Sequence, residues 1–221
     1  MRTPAEHSRP ADWLHERLLE PWSGSDGGNP AGSIVPTGFA AYARVFHAPE
    51  PGVTWADVAA ATGRVAHPLM EWHRITAPAP GSGRVSWDRS APMEGEPSDE
   101  ELRELIAVLR DHTATAELCW FCAWVGFGGT KERGAAIRLP DREYFLSSGP
   151  IEDALSFEQP PNIWWPDDRA WCVASEIDLL ATYVGGTAAC IDALLASVRL
   201  EAMRVSIDDR VDARADAVNR D

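Results

Sequence analysis

Glu176 and Asp178 are the residues whose types and spacing most readily support chemistry. They close the run Ala170-Trp-Cys-Val-Ala-Ser-Glu-Ile-Asp178, whose aromatic and β-branched content predicts a strand. On a strand, residues two apart share a face. Cys172, Ala174, Glu176 and Asp178 would then line one side, with the two carboxylates about 7 Å apart. Such a pair can divide general-acid and general-base roles where burial separates their pKa values. Asp168 is a third candidate carboxylate, and its neighbour Arg169 could hold an anionic group. The same residues also read as the solvated face of an edge strand, with Asp168 and Arg169 forming a loop salt bridge.

Immediately upstream lies Pro160-Pro-Asn-Ile-Trp-Trp-Pro-Asp-Asp-Arg-Ala-Trp171. The tandem Trp164-Trp165 before a proline predicts a loop, and exposed indoles on a loop mark a binding surface. Trp164, Trp165, Asp167 and Arg169 are therefore the predicted ligand- or partner-binding residues, forming a lip of aromatic and polar groups.

Other constellations carry less. Cys119 and Cys122 form a C-x-x-C inside the apolar run Leu118 to Phe127, which predicts a central strand. Residues three apart on a strand face opposite ways, about 10 Å apart, beyond the reach of a disulfide or a chelating knuckle. With Cys172 and Cys190 they read as buried structural thiols, and neither a metal site nor a cofactor is predicted. Gly126-Phe-Gly-Gly-Thr-Lys131 holds the sole lysine but lacks the full phosphate-loop spacing, so it reads as a tight turn. His47, His67 and His73 show no metal-binding spacing, although folding could bring them together. No G-x-S-x-G elbow anchors a Ser-His-Asp arrangement.

The elements that must position these groups are legible in part. Pro10 to Glu20 reads as a short amphipathic helix and residues 23–32 as a glycine-rich loop. Phe39 to Phe46 alternates as a strand, and a helix starts at Thr54 and stops at Gly63. Leu69 to Ile75 could be another strand, with ambiguous periodicity. Residues 77–97 form a long Pro/Gly-rich connection. Ser98-Asp-Glu-Glu101 is a capping box, with Leu102, Leu105, Ile106 and Leu109 following at helical spacing. Ala135 to Leu139 and Glu143 to Leu146 add strands. Thr187 to Val198 predicts a helix with Ile191, Leu194, Leu195 and Val198 on one face, and Leu200 to Ile207 predicts an edge strand. Strands that follow one another without intervening helices predict an α+β fold with a mixed or mostly antiparallel sheet and a few flanking helices. A single domain is expected over 1–207, with 208–221 a frayed tail.

Composition excludes more than it identifies. The chain has 221 residues, 34 acidic against 20 basic side chains, and a formal charge of −14. That balance disfavours nucleic acid, whose phosphates need clustered Lys and Arg. No apolar run approaches a membrane span and the N-terminal residues lack a secretory h-region, so a cytoplasmic protein without a membrane partner is expected. Ten tryptophans outnumber both Phe and Tyr.

The segments Cys119-Trp-Phe-Cys122, Trp164 to Cys172, and Glu176-Ile-Asp to Thr182-Tyr-Val-Gly-Gly186 resemble a group of actinobacterial proteins of unknown function. That resemblance implies a GC-rich source, in keeping with the preference for Arg over Lys, and no activity. Leu139-Pro-Asp-Arg-Glu-Tyr-Phe-Leu146 resembles the Leu-Pro…Tyr segment of SMI1/KNR4-like immunity proteins. Two functions stay open on these residues. One is a cytoplasmic, non-catalytic binding protein, immunity-type or regulatory, presenting an acidic, Trp-bearing surface to a protein partner. The other is an enzyme acting on a small-molecule ligand in a Trp-lined pocket.

Overall fold

The structure is a computed structural model that describes residues 2–127, 134–140 and 142–220. Its fold is α+β, built on one mostly antiparallel sheet of nine strands. The strands are β1 (Thr3–Pro4), β2 (Ala41–Phe46), β3 (Cys119–Trp124), β4 (Ala136–Arg138), β5 (Glu143–Gly149), β6 (Ile163–Pro166), β7 (Trp171–Ser175), β8 (Ala181–Gly186) and β9 (Glu201–Val205). Their order is β1-β5-β3-β6-β7-β8-β2-β9, with β4 also paired to β5. The edge position foreseen for Leu200 to Ile207 is where β9 lies.

Helices cover the sheet where the capping signals place them. α2 (Trp55–Thr62) opens on a Thr54 capping box and closes on Gly63 at φ 79°, a left-handed cap suited to glycine. α4 (Asp99–Arg110) opens on the Ser98–Glu101 capping box. It buries Leu102, Leu105, Ile106 and Leu109, each worth about 1.5–3 kcal/mol of removed apolar surface. α1 (Asp12–Arg17), α3 (Trp72–Ile75) and α5 (Ala188–Ala196) complete the set. The ambiguous Leu69 to Ile75 segment is thus a turn of helix rather than a strand. α5 stops two residues early, which leaves Val198 99% exposed instead of on the buried face.

Both faces of the sheet are covered, and this explains the unbroken apolar strands. On one face, Cys119, Phe121, Trp164, Trp171 and Val173 pack with α4 and α5. On the other, Cys122, Ile163, Trp165, Cys172 and Ala174 pack with Trp13 and Leu14 of α1 and with Val211. Cys119 and Cys122 therefore do face opposite ways, and all four cysteines are free and buried. Burial pushes the Cys119 thiol up to about 12. A third cluster joins Phe46 to Trp55, Val58, Met70 and Ile75. Arg44 lies beside it, only 4% exposed, donating to the carbonyls of Pro68 and Met70 and to Glu71.

The C-terminal residues overturn the expectation of a frayed tail. Val211, Ala215, Asp216 and Asn219 are buried. Asp216 accepts from the backbone of Glu71, Val218 and Asn219 and from the Asn219 and His67 side chains. Five donors on one carboxylate hold this segment against the turn that precedes α3. Among the described residues, no helix is long and apolar enough to cross a membrane.

Candidate functional site

A cleft of about 290 Å³ opens over the face of the sheet that carries Ile163 and Ala174. Four segments wall it: the stretch from Leu18 to Ile34, the β4–β5 hairpin, the turn between β7 and β8, and Val211 with Asp212 of the C-terminal segment. Its apolar wall includes Ile34, Leu139 and Leu179, and its polar groups include Arg142, Glu176 and Asp178.

Glu176 and Asp178 do come together, though not on a strand. β7 ends at Ser175, and Glu176 to Leu179 form a turn closed by a 3.0 Å bond from Leu179 N to Glu176 O. The long 77–97 connection braces that turn. Gly95, at φ 71°, donates its N–H to Leu179 O at 2.7 Å, and a Cβ there would sit 2.7 Å from the Ile177 Cα.

What joins the two carboxylates is Arg142. It closes the β4–β5 hairpin by exchanging backbone hydrogen bonds with Leu139. Its Nε donates to Glu176 Oε1 at 2.9 Å, and its Nη2 donates to Glu176 Oε1 at 2.5 Å and to Asp178 Oδ2 at 2.8 Å. Its guanidinium carbon stands 5.2 Å from the Trp124 ring centroid. Burial works against the Arg142 charge, but hydrogen bonding to Glu176 and the charges of Glu176 and Asp178 outweigh it and raise its pKa. Both carboxylates thus bond to one cation.

Trp22 lies in the same cleft and is 62% exposed. Its φ of 61° is left-handed, which a bulky side chain adopts at a cost of about 1–3 kcal/mol. Asn29 Oδ1 accepts from the Trp22 N–H at 3.1 Å and from the Ser33 hydroxyl at 2.8 Å. Asp212 accepts from the Asn29 N–H at 3.0 Å. The loop carrying the indole is thereby tied to the C-terminal segment.

The tandem tryptophans are not a lip. Trp164 and Trp165 are each 1% exposed, on β6, and point to opposite faces of the sheet. Trp164 packs edge-to-face on Trp171 with centroids 5.1 Å apart, and Trp165 does so on Trp13 at 5.7 Å. A strand covered on both sides needs a large apolar group on each, so two consecutive indoles serve two cores.

Asp167, Asp168 and Arg169 form the β6–β7 turn, at the other end of β7 from Glu176. Five residues of strand separate them from the cleft, about 16 Å. Asp167 accepts from the Trp120 indole at 2.9 Å. Asp168 does not pair with Arg169; it accepts from the Thr113 hydroxyl and from the backbone of Ala114 and Ala170. Burial would raise the Asp168 pKa, but these donors hold it below the ordinary value. Arg169, at φ 55°, lies 5.4 Å from the Trp13 ring. Asp168 stitches the turn to the loop after α4, Asp167 ties it to β3, and Arg169 faces α1.

The histidines stay apart in their bonding. His47 must donate from Nδ1 to the Met93 carbonyl at 2.9 Å, so its Nε2 accepts from the Thr182 hydroxyl at 2.9 Å. Ser175 in turn donates to Thr182 at 2.7 Å. Burial lowers the His47 pKa, in keeping with a neutral ring. A second cavity of about 210 Å³ lies beside His47, but both ring nitrogens are already engaged. His67 binds Asp216, and His73 is exposed. Among the described residues, no group of three His, Cys, Asp or Glu side chains could hold a metal ion. Lys131, with Gly128 and Gly129 of the expected glycine turn, lies outside the described residues.

No family model, no curated protein and no solved structure matches this chain. The site is therefore read from its own geometry. Sequence reasoning missed Arg142 and Trp22. Arg142 stands 34 residues before Glu176, and no local pattern links them. Trp22 had one signal, a lone indole at the entrance of a Gly/Ser loop.

Proposed function

We propose that this chain is a non-catalytic binding protein whose ligand is a small molecule held in the cleft beside Arg142, Glu176, Asp178 and Trp22. The observation that carries the reading is the convergence of an anchored guanidinium–carboxylate trio and an exposed, strained indole on one concavity. At about 290 Å³ the cleft lies at the lower end of the roughly 300–1,000 Å³ of small-molecule sites. Apolar walls with a few convergent polar groups fit that class. Binding is favoured over turnover because Glu176 and Asp178 share one cation, while among the described residues the thiols are buried and both ring nitrogens of His47 are internally bonded. A cytoplasmic setting accords with four free cysteines.

Ile34→Trp is the direct test, because it fills the cleft from a half-buried wall position. Native mass spectrometry after incubation with a metabolite extract should show an adduct on the wild type. That adduct should be lost on the variant while the melting temperature holds. An adduct retained in full by a folded Ile34→Trp protein would contradict the reading.

A further inference from the structure

We infer that the ligand of this cleft is a small primary ammonium cation with an apolar body; the inference rests on the small-molecule reading above. The charge around the cleft sets the sign. Arg142 is a single cation facing Glu176 and Asp178, so the trio carries a formal charge of −1. Asp212 lines the same cleft, and its partner Arg210 is shared with Asp26, so that trio also carries −1. A chain of net charge −14 adds a field of the same sign. An anion entering the cleft would meet this excess, with the Arg142 charge already balanced by Glu176 and two of its three guanidinium nitrogens bonded to carboxylates.

Free acceptors set the ligand's polar end. Arg142 uses Glu176 Oε1 and Asp178 Oδ2, whereas Glu176 Oε2 and Asp178 Oδ1 accept no hydrogen bond among the described residues. The Asp178 side chain is 74% exposed and the Glu176 side chain 19%. Two carboxylate oxygens from one turn, flanking a fixed guanidinium, suit an –NH3+ group with three donors. A quaternary ammonium would leave both oxygens unused.

The ligand's body is set by the rest of the wall. Trp22 presents an indole whose face attracts cations. Ile34, Leu139 and Leu179 supply apolar surface beside it. A compact alkyl or aryl amine satisfies both ends; a highly charged polyamine would leave the apolar wall unfilled.

Calorimetric titration of the full chain with benzylammonium, benzyl alcohol and phenylacetate at pH 7 and low salt tests the inference. Benzylammonium should bind at least about tenfold more tightly than benzyl alcohol, with phenylacetate weakest. Asp178→Asn should remove most of the cation's advantage and leave benzyl alcohol unchanged; this exposed site should not alter the fold. Benzyl alcohol or phenylacetate binding as well as the cation would overturn the ammonium inference and leave the small-molecule reading standing. Cation binding unaffected by both Asp178→Asn and Trp22→Ala would place it outside the cleft and also overturn the inference. No heat with any of the three probes overturns it too. The extract experiment with Ile34→Trp then judges the broader reading independently.

Discussion

Trp164→Ala should cost about 3–5 kcal/mol of stability, the usual range for deleting a large buried aromatic. The indole is 1% exposed, with Trp171 edge-on at 5.1 Å and Phe121 stacked at 6.3 Å. Its removal opens a cavity between β6 and the helices α4 and α5, and the surrounding rings cannot collapse into it fully. For a chain of this size that loss corresponds to a melting-temperature drop of roughly 6–20 °C. Trp22→Ala is the contrast, at an exposed position of unfavourable φ, and should stay within about 0.5 kcal/mol of wild type. Urea unfolding of the two variants measures both. If Trp164→Ala proved nearly neutral while Trp22→Ala unfolded the protein, the assignment of core and cleft would be reversed.

Arg44→Met should be comparably damaging, and its cost should depend on pH. The Arg44 side chain is 5% exposed and that of its partner Glu71 16%, with Nη2 and Oε1 3.2 Å apart. Methionine leaves the Pro68 and Met70 carbonyls and the Glu71 carboxylate without their donor, and breaking a buried pair this way costs about 3–5 kcal/mol. Burial raises the Glu71 pKa to about 7 from an ordinary 4.5, even though Arg44 pulls it down. A carboxyl with a raised folded pKa contributes stability that is full below the unfolded value. That contribution is lost as pH climbs through the folded one. Wild-type stability from this group therefore falls between about pH 4.5 and 7. In Arg44→Met the opposing cation is gone and Glu71 holds its proton more firmly. The variant's deficit should then be smaller at pH 5.5 than at pH 8.5. Asp216 works in the other direction. Burial would raise its pKa, but its donors hold it low, so its contribution is present above about 3.8 and is lost in acid. Equal deficits for Arg44→Met at both pH values would contradict the assigned pairing.

The capped helices were legible because their signals are local. Thr54 with Asp57 and Gly63, and Ser98 with Glu101, each close their own hydrogen bonds within a few residues. The opposed cysteines of β3 were legible for the same reason, since a two-residue period dictates the face. Trp164 and Trp165 misled because their reading depends on what covers the sheet. Flanking prolines and a tandem indole suggest a loop until both faces of β6 are known to be buried. Pro166 simply ends that strand. The C-terminal segment misled in the same way: its small and charged residues look solvated, yet Asp216 and Asn219 are bound from Glu71, His67 and Val65. Glu176 and Asp178 do meet, but not through the strand spacing that first links them. A turn and the distant Arg142 bring them together, not a strand face.

Nitrogen-resolved NMR during titration with benzylammonium follows the uptake of a small molecule by the cleft beside Arg142. The Trp22 indole N–H and the Arg142 Nε–H resonances should move with saturation if the cleft is filled. The indoles of Trp164 and Trp171, in the opposite core, should stay fixed. Saturable shifts that cluster around His47 and Glu101 while Trp22 and Arg142 remain still would contradict that uptake.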